Sequence, residues 1–374
     1  MNPRKQRAKQ MMGSSGYATQ FESSRFKVRS QTNPEKFYIV SKTDNGLVCE
    51  CLDHLTRKAD CKHIKIVLEL IMKNKCYHNN TFRIMERANL ELCKYCDSGR
   101  ITKKGTRKNK NGTVQIFKCL DCKKKFSANH GFEKTRFDVN TITGALQMYY
   151  SGMSTRDISN HYEMMGIEVS DVAIYKWVCK YSTMVSKYLN EIVPRTGNWV
   201  RADEVWIKIN GEQKYLFASM DDDTRYWLAS DLADTKFQHN ADNLLKLTKE
   251  VIGKNPTQFI TDGLPAYQKS SKRIFGKTTQ HTRHIHIAGK RDRDNNNKME
   301  RLNGEIRDRE KVFRGLKKMD TPIIDGMKVY YNFTKKHGAL KGKTPSEEAL
   351  IKVDGKNRWK TIIQNASLHK ANSN

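Results

Sequence analysis

The sequence predicts a mixed α/β protein, its sheet flanked by helices and preceded by small metal-binding modules and an all-α segment. Three observations carry this. Eight of the nine cysteines lie before residue 123, and all of those but Cys76 fall at metal-ligand spacings. Residues 139–187 carry apolar side chains at helical intervals. From residue 199 the pattern turns to period-two alternation, then back to helix, as in layered α/β folds.

Composition sets the frame for each element. The 374 residues hold 69 Lys and Arg against 40 Asp and Glu, a formal net charge of +29. That length accommodates several domains and a real core. Apolar residues make up 37%, enough to exclude a wholly disordered chain. The longest apolar stretch, 64–72, is interrupted by Lys65 and Glu69 and is too short to span a bilayer. The basic start MNPRKQRAKQMM has no apolar segment behind it, so no secretory signal and no membrane association are expected. So much positive charge points to a polyanionic partner, with nucleic acid foremost.

A reducing compartment favours metal sites over disulfides. Cys49-x-Cys51, then nine residues, then Cys61-x-His63 could close a tetrahedral zinc site beneath a β-rich segment, 26–48. Cys93-x-x-Cys96, then twenty-two residues, then Cys119-x-x-Cys122 has the form of a zinc ribbon, two knuckles joined by a hairpin. In each set the alternative is buried free thiols. With four protein ligands apiece, both sites read as structural, with no position left for a catalytic water. Cys76 and Cys179 sit alone and read as packing residues. Around the second knuckle, Lys103, Lys104, Arg107, Lys108, Lys110, Lys118, Lys123, Lys124 and Lys125 are opposed by Asp121, a solvated face or a phosphate-contacting one.

In the all-α segment, Ile142, Ala145, Leu146 and Tyr149 share one helical face, and Gly152 ends it. Ser154 with Asp157 forms a capping-box start for a short helix through His161. Ser170 caps a third helix over 171–181, whose Tyr175, Lys176, Trp177 and Lys180 suit a helix-turn-helix reading DNA. An ordinary helical linker is the alternative.

Beyond Pro194, strands are expected over 199–210, 214–220 and 226–232, short, adjacent and antiparallel. A helix over 240–252, a strand over 258–261 and a helix from Leu264 follow. Asp203 has the parity of Val205, Ile207 and Ile209, so a charge points to the apolar face, where it needs compensation. Asp262 ends a strand, where α/β sheets place their sites. Glu300 borders a helical stripe of Met299, Leu302, Ile306 and Phe313, with Asn303 and Arg307 on the same flank. Singly, each acid suits a structural role. Together they could hold two Mg²⁺ ions about 4 Å apart for in-line attack on a phosphodiester. Asp221, Asp222, Asp223 and Asp231 are rival acids, the first three forming a turn.

The ordered acids Asp203, Asp262 and Glu300 resemble the DDE motif of transposases and integrases, most closely the insertion-sequence transposases of bacteria and archaea. The matching stretches are WVRADEVWIKINGEQKYLFASMDDDTRYWLAS, FITDGLPAY and NNKMERLNGEIRDREKVFRGLKK, with YYNFTKKHGALKGKTPSEEAL resembling the closing segment. The stretch 152–181 is similar to the helix-turn-helix that precedes such cores, the first cysteine set to a SWIM zinc finger, and the second to a transposase zinc ribbon. In this chain 37 residues separate Asp262 from Glu300, a long interval for that family, and they include the basic run 281–286.

Polar and basic composition marks 1–22 as a flexible basic tail and 351–374 as a C-terminal tail. Between them the resemblance implies a SWIM-like finger at 23–80, a ribbon at 88–130, a helix-turn-helix at 135–192 and an RNase H-like catalytic domain at 196–350. It implies Mg²⁺ or Mn²⁺ held by Asp203, Asp262 and Glu300, two structural Zn²⁺ per chain, and Arg307 with Lys298 near the cut phosphate. DNA contact would also come from Lys176, Lys180, Lys123, Lys124 and Lys125. Double-stranded DNA, as element ends and target, is the implied partner, with a homodimer or larger assembly in the cytoplasm on the nucleoid, or in a eukaryotic nucleus. A catalytically silent DNA-binding regulator of the same fold is the alternative, and the intact acid trio argues against it. A nuclease acting on RNA–DNA hybrids is a third.

Overall fold

A computed structural model describes residues 18–22, 25–30, 33, 35–43, 46–57, 61–73, 81–86, 93, 95–96, 98–109, 112–127, 131–133, 135–284, 296–312 and 316–373. Cys76, Lys110, Phe313 and the end of the basic run, 285–286, lie outside them. The chain divides into two compact units, 1–83 and 84–374.

In the first unit, β1 (Ala18–Glu22), β2 (Arg25–Arg29), β3 (Phe37–Thr43) and β4 (Gly46–Cys49) form an antiparallel sheet in sequence order. Alternation sends Phe26 and Val28 of β2 inward, opposite Val40 and Tyr38 of β3. Helices α1 (Leu52–Arg57) and α2 (Lys62–Lys73) follow, and α2 presents Ile64 and Val67, one turn apart, to the same core. Residues 18–22, expected within a flexible tail, pair as a strand because their backbone groups find partners on β2.

The second unit opens with a three-stranded antiparallel ribbon: β5 (Ile101–Asn109), β6 (Gly112–Cys119) and β7 (Lys125–Ser127). Helices α3 (Val139–Ser151), α4 (Thr155–Met164) and α5 (Asp171–Leu189) come next. Their starts follow the capping residues. Ser154 Oγ accepts from the Asp157 N–H at 3.1 Å and completes a capping box. Ser170 Oγ accepts from the Ala173 N–H at 3.2 Å. Gly152 ends α3 at φ 117°, and a side chain there would strike Arg309. The third helix runs two turns past the predicted Tyr181, because Ser182, Val185, Tyr188 and Leu189 continue its buried face.

The sheet that positions the site has β8 (Trp199–Ile209) at its centre. Antiparallel β9 (Glu212–Asp221) and β10 (Trp227–Ala233) lie to one side, and parallel β11 (Gln258–Thr261) and β12 (Gln280–Arg283) to the other. The spatial order β10-β9-β8-β11-β12, antiparallel over the first three strands and parallel thereafter, is RNase H-like. The basic run contributes β12, a fifth strand beyond those predicted.

Register sorts the two faces. Glu204 lies opposite Phe217 and Ala202 opposite Ser219, on the face covered by α6 (Gln238–Ile252) and α7 (Pro265–Ile274). There Ser219 bonds Thr248 of α6 at 2.7 Å, and Phe217 meets the Tyr267 ring of α7 edge-on. Asp203 lies opposite Ala218 on the other face, against α8 (Asn297–Glu310).

Helix α9 (Pro322–Val329) packs on α5 and runs into a wider turn, Tyr330–Thr334. Its Asn332 side chain holds both the N–H and the C=O of Trp227 at 2.9 Å. The last helix, α10 (Arg358–Ser373), replaces the expected tail. Trp359, Ile362, Ile363 and Ala366 form one buried face, packed against α3 and α5, so an apolar stripe overrides a polar composition. No helix among the described residues is long and apolar enough to cross a membrane.

Candidate active site and metal centres

Parallel pairing fixes the site. Ile260 lies opposite Arg201, so two residues further along both strands Asp262 comes level with Asp203. One oxygen each from Asp203, Glu204 and Asp262 falls within 4.8 Å of the others. The Asp262 carboxylate accepts from the Leu264 N–H at 3.0 Å, a local turn just ahead of α7 that orients the acid. Asp203 is 8% exposed; its Oδ2 accepts from Asn303 Nδ2 at 2.8 Å and its Oδ1 from the Glu204 N–H at 2.9 Å. Burial, then the charges of Asp262 and Glu204, push the Asp203 carboxyl up to about 7, and Glu300 adds to the rise.

Glu300 is exposed on the first turn of α8, its oxygens outside the 4.8 Å set. The chain therefore brings Asp203 and Asp262 into direct proximity, with Glu300 felt through its charge. Glu204 is the acid sequence reasoning passed over. Alternation assigns it to the opposite face, yet its longer side chain reaches the set. The signal was its adjacency to Asp203. Glu204 Oε1 accepts from Lys236 Nζ at 2.8 Å, and burial, resisted by that lysine, raises its carboxyl pKa.

The rival acids have structural partners. Asp221 accepts from the Gly197 N–H, the Thr224 N–H and the Thr224 hydroxyl, closing the turn. Asp222, fully buried, pairs with Arg201 and with Lys298. Against the effect of burial, Lys298 and Arg201 hold its carboxyl below the usual range. Lys298, expected near a cut phosphate, is thus anchored to Asp222 by attraction to a buried charge. Arg307, Lys176, Lys180, Lys123, Lys124 and Lys125 are all exposed, Lys180 lying 4.7 Å over the Tyr181 ring.

Both cysteine sets converge. Cys49, Cys51, Cys61 and His63 place their ligand atoms within 4.8 Å of one another, all buried. His63 Nδ1 lies 3.7 Å from Cys49 Sγ and 3.9 Å from Cys61 Sγ, and Tyr38 stacks on the ring. The Cys49 thiol is pushed up and Cys61 pulled down, because one sulfur hydrogen-bonds the other. In the ribbon, Cys93 Sγ lies 3.6 Å from Cys122 Sγ and Cys96 Sγ 3.5 Å from Cys119 Sγ. Against burial, backbone N–H groups of Cys122 and Asp121 hold Cys119 down to about 6. Four soft donors crowded at each place, with N–H groups turned to sulfur, fit a tetrahedral zinc ion. Three carboxylates with hard oxygens fit Mg²⁺ or Mn²⁺.

Residues 197–337 match a family model described as a DDE domain, of the IS240 transposase type. The transposase of insertion sequence element IS257 in transposon Tn4003 of Staphylococcus aureus is 27% identical over 145 residues, 38% of this chain and 64% of that protein. The IS431mec transposase of S. aureus strain Mu50 matches to the same extent. The insertion element ISM1 uncharacterized 48.3 kDa protein of Methanobrevibacter smithii is 30% identical over 160 residues, 38% of this chain and 37% of that one. The HTLV-2 integrase catalytic core domain in complex with magnesium aligns over 42% of this chain and 97% of its own, at 13% identity and a TM-score of 0.32. The chain spans 64% of the length of these staphylococcal relatives, and the residues matched by the DDE-domain model include Asp203, Asp262 and Glu300.

Proposed function

We propose that this chain, which carries a DDE domain at 197–337, is a transposase that binds the ends of a mobile DNA element and cleaves and rejoins DNA strands. One observation carries the reading: Asp203 and Asp262, 59 positions apart in sequence, present carboxylate oxygens within 4.8 Å of each other where the pairing of β8 with β11 ends. Such a pair is costly in a fold unless a cation offsets it.

Asp203 and Asp262 would hold the catalytic divalent ion, and Glu300, from the first turn of α8, would complete a second position once DNA is seated. Bound there, Mg²⁺ or Mn²⁺ supplies charge stabilisation to the attacking and leaving oxygens of an in-line displacement. Asn303 keeps Asp203 aimed at the site. The nucleophile is a water and then a DNA 3′-hydroxyl, so no side chain bonds to DNA. Arg307, exposed on α8, is placed to take a neighbouring phosphate.

The zinc-closed finger of the first unit, the basic ribbon and helices α3 to α5 would hold the element end, with Lys176, Lys180 and Lys123 to Lys125 on phosphates. Joining two ends calls for at least two copies of the chain on DNA. Supercoiled-plasmid nicking tests the reading. With Mg²⁺ or Mn²⁺ the starting protein should convert supercoiled to open circles, while Asp203→Ala, Asp262→Ala and Glu300→Ala bind DNA and leave it intact. Binding without nicking by the starting protein would instead mark a silent regulator, and cleavage restricted to RNA–DNA hybrid a nuclease.

A further inference from the structure

We propose that Glu204 is a third protein ligand of the divalent ion, beside Asp203 and Asp262. This rests on the DDE reading and deepens it. The Glu204 side chain is 3% exposed, in a sheet face covered by α6 and α7. One of its oxygens takes the Lys236 ammonium at 2.8 Å. The other, Oε2, is buried and has no hydrogen-bond partner among the described residues. The Tyr267 hydroxyl, itself buried, approaches this carboxylate, and burial followed by the charge of Glu204 raises its pKa.

A buried carboxylate oxygen left bare beside two other acids is unfavourable by the desolvation of that group and by repulsion. Three carboxylates against one lysine leave a deficit of two positive charges, which a single divalent ion makes up. Lys236 binds Oε1, and one oxygen of Glu204 lies within 4.8 Å of oxygens of both Asp203 and Asp262, as a monodentate ligand requires. A role confined to anchoring Lys236 would account for Oε1 and not for the convergence of this carboxylate with Asp203 and Asp262.

Mn²⁺ binding to the zinc-loaded, DNA-free full chain, followed by titration calorimetry and by the Mn²⁺ paramagnetic resonance signal, tests this. Glu204→Gln should weaken Mn²⁺ binding by about 10-fold or more, while Lys236→Met leaves affinity unchanged or raised. Glu204→Asp keeps the charge with a shorter reach and should weaken binding without lowering the melting temperature, which covers the case in which the Gln variant folds poorly. Mn²⁺ affinity unchanged in both Glu204 variants would overturn the proposal. Asp203→Asn separates the two levels. If it abolishes binding while the Glu204 variants do not, the DDE reading stands and the Glu204 assignment falls. If it too binds Mn²⁺ normally, both fall.

Discussion

Asn303 Nδ2 donates to Asp203 Oδ2 across 2.8 Å, tying the buried face of α8 to the central strand of the sheet. The two residues are separated by 100 positions, and the bond fixes which way an otherwise buried, mutually repelling carboxylate points. Asn303→Ala removes that donor and leaves Asp203 Oδ2 without its partner. A loss of about 10- to 100-fold in Mn²⁺ affinity or nicking rate is expected, as for other groups that orient metal ligands. Full activity in that variant would show that Asp203 needs no such holding.

Metal analysis of the purified chain should return about two zinc, one for each closed set of four ligands. Cys61→Ser and Cys96→Ser should each lose one of them and leave the other. The first change removes a buried ligand of the finger, where Cys49, Cys51 and Cys61 belong to the core itself, so the finger should melt with its metal. Equal loss of both metals from either variant would contradict two independent sites.

Lys123, Lys124 and Lys125 follow the second ribbon knuckle and are all exposed. Replacing all three with Ala should weaken DNA binding whatever the sequence, and make the plot of log K against log salt shallower by about 2 to 3 units. An unchanged salt slope would remove them from the phosphate interface.

Much of the fold was legible because its signals are local. Ser154, Ser170 and Gly152 act at their own positions, and alternation from Trp199 onward predicts β8 to β10 within a residue or two. The pairing of Asp203 with Asp262 was legible from strand parity and strand ends. Glu204 was not, because its approach to the site depends on the reach of a side chain and on Lys236, a residue brought in by tertiary structure. The C-terminal helix is hidden in the sequence for a different reason. Trp359, Ile362, Ile363 and Ala366 do recur at helical spacing, but basic and polar neighbours outweighed that stripe.

That helix carries its own prediction. Trp359 is 2% exposed, stacks on Tyr150 and donates to Gln147 at 3.0 Å. Trp359→Ala should cost about 3–5 kcal/mol in urea unfolding, the range for emptying a large aromatic site. A change within experimental scatter would mean the helix is dispensable.

His281, on β12, has Nε2 2.9 Å from Thr261 Oγ1 and its ring against Phe259. Burial, with help from Arg283, lowers its pKa to about 4. The folded chain therefore binds this proton less readily than the unfolded one. The stability His281 contributes is present above about pH 6.5 and is lost as pH falls toward 4. Asp203, raised to about 7, acts in the opposite sense, losing stability for the metal-free chain as pH rises from about 4 to 7. His281→Gln should thus flatten the acid side of the stability curve relative to the starting protein. Parallel curves would contradict a buried neutral imidazole.

Anomalous diffraction from crystals of the zinc-loaded chain soaked in Mn²⁺ would locate the ion directly. The predicted result is a manganese peak about 2.0–2.2 Å from oxygens of both Asp203 and Asp262, at the junction of β8 and β11. Manganese found elsewhere, with nothing between those two carboxylates, would contradict it.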